Sequence, residues 1–329
     1  MDRRRLLGGA GAVALSGALA RPGALFAQQA FPTSLVKILV PFPPGGTTDV
    51  FARLFSDRFA KALGTSVIVD NRGGAGGLIG GAEVSRAQPD GYTLCFHSPT
   101  SGIAGPLTRK KPPYDPVTSF SHVAILGHTP MVLAVNPKRG LNSLGDLVAL
   151  LRAEPGKHSY GSSGIGSIPH VTTELFKMKA GGLDVAHVPY RGAAGMVQDS
   201  LANNIAFMVD TFATVLQLHQ TGELKILSVF GTERAQVAPD VPTAREQGFD
   251  VVMRNVNYLS APPGTPADRL ERLSAAAREV MASPDMAADL AKIAYLPVTD
   301  STPERAQRFI SDEVGVWQPI IKAANIEVD

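Results

Sequence analysis

Short apolar runs alternate along the chain with longer segments in which apolar residues recur every three or four positions. The runs predict strands and the longer segments predict amphipathic helices, so the alternation is typical of an α/β protein with parallel sheets. Strands are expected at 35–40, 66–69, 92–96, 131–135, 158–160, 184–188, 205–209 and 225–229. Helices are expected at 50–63, from the loop at 71–77 to about 87, and at 144–152, 169–180 and about 195–202.

Several helix ends carry signals of their own. Gly64 should end the first helix, because glycine readily adopts the left-handed conformation that closes a helix. Thr265-Pro266 and Thr302-Pro303 should each begin a helix, since threonine caps a helix and proline suits the first helical position. The apolar face of the first helix is expected to comprise Val50, Leu54, Phe55, Phe59 and Leu63.

Two glycine-rich turns, at 41–49 and 160–167, each connect a strand to a helix. The first N–H groups of a helix have no partner within the helix, and glycine lets an anion approach them closely. Two such turns facing each other would hold a small anionic ligand between two lobes. Valine at Gly46 or Gly166 is therefore expected to abolish binding with little effect on the fold. The alternative is that both are ordinary strand-to-helix turns.

The first 27 residues predict a signal peptide. Arg3-Arg4-Arg5 precedes the short apolar stretch 6–20, and the segment ends on the small residue Ala27. The stretch is too short and too rich in glycine for a membrane span. The residues from Asp2 to Leu7 also resemble a twin-arginine export signal, although Asp2 stands where serine or threonine is usual. The Sec and twin-arginine routes both remain open. We expect a soluble periplasmic protein after cleavage near Ala27.

Charge and cysteine content exclude several classes of protein. Removing residues 1–27 lowers Lys+Arg from 31 to 27 and Asp+Glu from 29 to 28, so the net charge changes from +2 to −1. The one later basic run, at 109–111, is too short for a nucleic-acid footprint, so no nucleic-acid partner is expected. The single cysteine, Cys95, excludes an intramolecular disulfide and should be packed in a strand.

The glycine turns do not match nucleotide-binding motifs. Ile79 and Pro169 stand where the last glycine of each G-x-G-x-x-G would be, and no P-loop, G-x-S-x-G or H-E-x-x-H motif occurs. The seven histidines lack metal-ligand spacing, so neither metal nor cofactor is expected. An exported hydrolase or lyase with Ser162 or Ser163 as nucleophile and His170 as base stays open as an alternative.

A series of motifs in fixed order resembles the Bug-type substrate-binding proteins of the tripartite tricarboxylate transporter family, over essentially the whole mature length. Each motif is weak by itself, and their order makes the match specific. The motifs occupy 41–46 with Asp49 and 52–53, 69–72 with 74–77, 90–94, 113–116, 160–164 with 166–167 and His170, 187–192, 239–243, 261–266 and Trp317.

The resemblance implies a two-lobe, type II periplasmic-binding-protein fold of the Venus-flytrap kind, each lobe a central sheet flanked by helices. It further implies that the lobes comprise 28–130 with 255–329 and 131–254, and that they close about hinges near 130 and 255. The protein would then be a monomeric receptor, not an enzyme, that passes a small carboxylate to membrane permease subunits. Carried over by position, the ligand contacts are Phe42, Gly45, Gly46, Thr47, Ser162, Ser163, Gly166 and Ser167, with His170 beside them.

Backbone N–H groups alone give marginal affinity, so a second anchor is expected at a strand end, with Ser98, Thr100, Asp210 and Thr211 as candidates. A structural hydrogen bond is the favoured role of Asp210. The chain departs from the family pattern at Val256, Tyr258, Asn203 and Asn204, and these departures leave the identity of the carboxylate open. A sensor that docks on a membrane signalling protein is a further alternative, because it would use the same closure.

Overall fold

The computed structural model describes residues 31–328, so the signal peptide expected at 1–27 lies outside the described residues. The described part contains ten strands: β1 (Val36–Val40), β2 (Val67–Asn71), β3 (Thr93–His97), β4 (Ser121–Val135), β5 (Ser159–Ser162), β6 (Ala186–Pro189), β7 (Phe207–Thr211), β8 (Lys225–Val229), β9 (Arg254–Ala261) and β10 (Leu296–Pro297).

Helices cover most of the intervening chain. They are α1 (Thr47–Leu63), α2 (Leu78–Ser85), α3 (Gly105–Leu107), α4 (Leu144–Ala153), α5 (Ile168–Lys179), α6 (Ala193–Leu201), α7 (Phe212–Gln220), α8 (Ala267–Met281), α9 (Pro284–Lys292) and α10 (Pro303–Ala323). Shorter helical turns lie at Ala75–Gly77, Thr100–Ala104 and Pro137–Arg139. Among residues 31–328, no helix is long and apolar enough to cross a membrane.

The long strand β4 connects two groups of parallel strands. β1 pairs in parallel with β2 and β3, and β5 pairs in parallel with β6 and β7. Residues 121–130 of β4 pair antiparallel with β9, whereas residues 131–135 pair antiparallel with β7 and β8. The sheet order is therefore β2-β1-β3-β9-β4-β7-β5-β6, with β8 and β10 as further partners of β4. The expected parallel pairing is confirmed in the two outer groups and is wrong at the centre.

Helix α1 shows how local pattern and packing combine. Its buried face carries Phe51, Phe55, Phe59 and Leu63, at intervals of four residues, and the rings of Phe55 and Phe59 stack. Val50 is 38% exposed, so the expected face was displaced by one residue at its start. Gly64 ends the helix with φ of +74°, as expected, because only glycine adopts that conformation without strain.

Other expectations have mixed outcomes. Thr302 caps α10 by accepting the Arg305 N–H, as predicted. Thr265 does not cap α8: its hydroxyl donates to the Pro262 carbonyl, and Pro266 occupies the cap position. Cys95 is fully buried, as expected, and burial raises the pKa of its thiol. The sequence pattern missed β9, α7, α9 and the first ten residues of β4.

Candidate functional site

The first glycine turn connects β1 to α1 and is open to solvent. Gly45, with φ of +86°, makes the bend, and Gly46 caps α1 in an extended conformation. The Gly45 N–H donates to Asp49 Oδ2 at 2.8 Å, so this group already has an acceptor. Within the described chain, the N–H groups of Gly46, Thr47 and Thr48 have no acceptor. The turn therefore presents three unpaired donors at the positive end of a helix.

A buried carboxylate holds this turn in shape. Asp49 accepts hydrogen bonds from Gly45, from Arg53 Nε at 3.0 Å and from Asn71 Nδ2 at 2.8 Å, and Asn71 also donates to the Phe42 carbonyl. Burial alone would raise the pKa of Asp49, but the hydrogen bonds from Arg53, Gly45 and Asn71, together with the charge of Arg53, lower it. The turn is thus pre-organised by β2 as well as by α1.

The second glycine turn, between β5 and α5, is largely buried and internally bonded. Ser162 Oγ is 2.6 Å from His187 Nε2 and donates to the Gly164 carbonyl at 3.0 Å. Ser167 Oγ donates to the same carbonyl at 2.7 Å, and the Gly166 N–H donates to His170 Nδ1 at 3.1 Å. Ser163 differs from these residues, because it is half-buried and neither its hydroxyl nor its N–H has a partner among the described residues.

These hydrogen bonds give different roles to residues that were all predicted to contact the ligand. Ser163 is free to contact a ligand, whereas the polar groups of Ser162, Gly166 and Ser167 shape the turn itself. Ser162 has no exposed surface, so its hydroxyl cannot act as a nucleophile on a bound substrate. His170 bonds to the backbone of Gly166 and not to either serine.

The candidate residues lie at the carboxyl ends of parallel strands in both groups. The first turn follows β1, and Ser98 and Thr100 follow β3. The second turn follows β5, and Asp210 with Thr211 ends β7. In α/β sheets such strand ends border the crevice in which ligands bind. Phe42 lies at the same edge, because it follows the end of β1 at Val40. A methyl group at Gly77 would lie 3.2 Å from its ring.

The two groups of strands meet beside the second turn. The Ile168 N–H, at the start of α5, donates to Thr100 Oγ1 at 3.4 Å. A methyl group added at Gly166 would lie 2.7 Å from Thr108 Oγ1, so the backbone of the turn packs closely on the residue that follows α3. Thr100 therefore contacts the second turn directly. Ser98 is 5% exposed, and its carbonyl accepts from Ser101 and Gly102.

Asp210 has one structural oxygen and one unpaired oxygen. Its Oδ1 accepts the Thr211 N–H at 2.6 Å and the Thr214 hydroxyl at 3.2 Å, which agrees with the favoured structural role. Its Oδ2 is buried and has no partner within residues 31–328. Burial raises the pKa of Asp210 to about 6 against the opposing hydrogen bonds. The described residues contain no group of three acidic, histidine or cysteine side chains that would hold a metal ion.

The family model of the tripartite tricarboxylate transporter family receptor matches residues 51–326 of the chain. The chain belongs to this family. The receptor is 32% identical to Protein BugT of Bordetella pertussis over 98% of both chains.

Solved structures show the same two-lobe α/β fold. The periplasmic binding protein BugD covers 90% of this receptor and 99% of its own chain at 29% identity, with a TM-score of 0.80. A Rhodopseudomonas palustris protein with adipate covers 90% and 99% at 31% identity, with a TM-score of 0.83. MatC from the same species, with bound malate, covers 88% and 100% at 27% identity, with a TM-score of 0.80. The receptor is thus a solute-binding protein and not an enzyme.

His187 begins the family motif 187–192 of the receptor but was not predicted as a site residue. This residue lies on β6, in register with Tyr160 of β5, and its ring stacks between those of Tyr160 and His170 at centroid distances of 4.8 and 3.9 Å. Tyr160 in turn donates to Glu174, which also accepts from Lys177. Parallel pairing of β5 with β6 brings His187 under the turn, and no short-range pattern signals that pairing.

This histidine pair predicts sensitivity to acid. Burial lowers the pKa of His170 to about 3, with the neighbouring His187 adding to the effect, and burial lowers the pKa of His187 to about 4. The folded receptor keeps both rings neutral, whereas the unfolded chain protonates them below about pH 6.5. Their contribution to the free energy of unfolding is therefore complete above pH 6.5 and falls as the pH decreases towards 4.

We expect the double variant His170→Gln/His187→Gln to lose part of the pH dependence of stability between pH 6.5 and 4. The slope of unfolding free energy against pH should decrease by up to about 1.4 kcal/mol per pH unit for each histidine removed. Urea denaturation at several pH values measures this slope. The control His219→Gln removes a half-buried histidine on another helix and should change the slope less. Equal slopes in the wild type and the double variant would contradict the assignment.

Proposed function

We propose that this receptor is exported to the periplasm, binds a small dicarboxylate between its two glycine turns and delivers it to the membrane permease subunits of a tripartite transporter. The observation that carries the proposal is the set of unpaired N–H groups at Gly46, Thr47 and Thr48, at the N-terminal end of α1, where Gly46 is exposed and Thr47 is half-buried. Such an end favours an anion over a neutral solute. Adipate and malate in two relatives of the same fold support a dicarboxylate.

Hydrogen bonds from the two glycine turns alone would give only marginal affinity for a dicarboxylate. Hydrogen bonds to a charged group contribute about 1.5–3 kcal/mol each, so three from the first turn and one from Ser163 give about 6–12 kcal/mol. Association costs at least about 4 kcal/mol, and micromolar affinity needs about 8 kcal/mol net. We therefore infer that a second anchor is needed. Asp210 Oδ2 is suited to accept a hydrogen bond from a hydroxyl or a protonated carboxyl group of the ligand.

We propose that the first lobe comprises 28–130 and 255–329 and that the second comprises 131–254. The change of β4 partners between Pro130 and Met131 supports the first boundary. The Met131 N–H donates to the Met253 carbonyl just before β9 begins, which supports a boundary beside it near 254. Closure would rotate the lobes about these crossings while each sheet stays rigid.

A thermal-shift series on protein lacking residues 1–27 tests the proposal. A ligand that binds only the folded state at 100 times its dissociation constant stabilises it by about 2.7 kcal/mol. Adipate or malate should therefore raise the melting temperature by several degrees, whereas glucose should not. The same ligand should reduce the radius of gyration in small-angle scattering. A shift with glucose and none with any mono- or dicarboxylate would refute the ligand class, and an unchanged radius with bound ligand would refute closure.

A further inference from the structure

A groove of about 700 Å³ lies outside the site described above, between α2 and the segment that follows α3. Its apolar lining comprises Leu78, Ile79 and Ala82 of α2. Ile79 is 56% exposed, although an isoleucine is usually buried. This large exposed side chain therefore lines a concave surface, where a partner's apolar side chain can cover it.

The rim of this groove is strongly basic. Arg86 and the run from Arg109 to Lys111 line the groove with one carboxylate, that of Glu83, which also pairs with Lys37 and Arg72. Lys110 pairs with Glu327 at 2.8 Å, with both side chains more than half exposed. An exposed pair of this kind contributes little to stability and is easily exchanged for another carboxylate. The charge of the rim therefore favours an acidic partner.

The shape favours a protein segment over a bilayer. A membrane surface is flat, and proteins that bind it by charge present a protruding basic face with apolar side chains that insert. Here Leu78, Ile79 and Ala82 line a concave surface together with the charged residues and do not protrude from a basic face. An amphipathic helix places an apolar side chain in such a groove and its charged side chains against the rim.

Each wall of the groove continues into one glycine turn of the candidate site. The wall of α2 is preceded by the glycine run 73–77, where methyl groups at Gly73 and Gly77 would lie 3.1 and 3.2 Å from Pro43 and Phe42 of the first turn. The opposite wall begins after Thr108, which packs on Gly166 of the second turn. The groove therefore lies next to both glycine turns.

We propose that this groove is the docking site for an acidic amphipathic segment of the partner protein, with an apolar side chain over Ile79 and carboxylates against Arg86 and Lys111. That the partner is a membrane protein rests on the proposed function.

Fluorescence anisotropy tests the chemistry of the groove. The probe is a labelled helical peptide of glutamate and leucine with leucines on one face, and its lysine-for-glutamate counterpart serves for comparison. Binding of the acidic peptide should weaken at least tenfold in Arg86→Glu/Lys111→Glu and should change less than twofold in Lys138→Glu/Lys157→Glu, a matched reversal of exposed lysines elsewhere. Equal weakening in both variants, or preference for the basic peptide, would overturn the proposal.

Photo-crosslinking from position 79 in cells tests the partner, with position 316, another exposed apolar site, as the control. We expect an adduct from position 79 alone, with an integral membrane protein and at a segment rich in acidic and apolar residues. No adduct, or groove-dependent sedimentation with phosphatidylglycerol vesicles in place of peptide binding, would overturn the docking site. The groove variant should keep its thermal shift with adipate, so failure of docking and failure of carboxylate binding remain separate results.

Discussion

Gly46→Val is expected to abolish dicarboxylate binding while the receptor remains folded. Gly46 has φ of −76° and ψ of 165°, a conformation open to any residue. A methyl group there would have only the Pro43 carbonyl nearby, at 3.9 Å, so the protein has room for the side chain. The branched side chain would stand over the unpaired N–H groups of α1 and keep the ligand from them.

Calorimetry with adipate measures the effect, and we expect at least a 100-fold loss of affinity, which corresponds to about 2.7 kcal/mol. Stability should fall by about 1 kcal/mol at most, because valine is a poorer helix cap than glycine. Gly145→Val, in the first turn of α4, is the matched control and should leave affinity unchanged. Unchanged affinity in Gly46→Val would remove the first turn from the site.

Gly166→Val should also abolish binding, but it should destabilise the folded receptor as well. Gly166 has φ of +74°, and a methyl group there would lie 2.7 Å from Thr108 Oγ1. Strain and overlap should therefore lower the melting temperature together with the affinity. The expectation that valine at this position leaves the fold intact does not agree with this geometry. Gly46 is the more informative of the two positions.

Tyr258→Ala is expected to destabilise the receptor by about 3–5 kcal/mol, the range seen when large aromatic side chains are removed from cores. Tyr258 is 1% exposed, and its ring stacks on His97 at 5.0 Å and contacts the edge of His122 at 5.7 Å. A methyl group at Gly102 would overlap its hydroxyl, so the ring supports the turn Thr100–Ala104. This turn carries Thr100, which contacts the second glycine turn.

Urea denaturation measures the loss, and Tyr258→Phe should restore most of the stability because the ring does the packing. Calorimetry at a temperature where the variants are folded separates packing from ligand contact. We expect near-normal affinity for adipate in Tyr258→Phe and a smaller loss in Tyr258→Ala than in Gly46→Val. A large loss of affinity in Tyr258→Phe would show that the hydroxyl reaches the ligand.

The alternation of strands and helices was readable from the sequence because it depends on residues that are close together along the chain, and family membership was readable because short motifs occur in a fixed order. Glycine turns, helix caps and the period of α1 are local features of this kind. The sequence marked Asn203 only as a departure from the family pattern, and the structure explains it, since asparagine is suited to its φ of +63°. The expected cap at Thr265 failed because its hydroxyl found a closer partner in the Pro262 carbonyl.

Pairings between distant segments were decided only by the tertiary structure. β9 contains Arg254, two asparagines and Ser260, so it lacks the apolar run typical of a buried strand, and its antiparallel place beside β4 depends on residues more than 120 positions away. The same is true of His187 beneath the second turn and of Tyr258, which the sequence marked only as a departure from the family pattern. The sequence also did not show which backbone N–H groups are paired. It predicted ligand contacts at Gly45, Gly46 and Gly166 alike. In the folded chain the Gly45 N–H donates to Asp49 and the Gly166 N–H donates to His170. A backbone donor becomes available or satisfied according to which side chains folding brings beside it, and this is why the sequence located the turns but not their free donors.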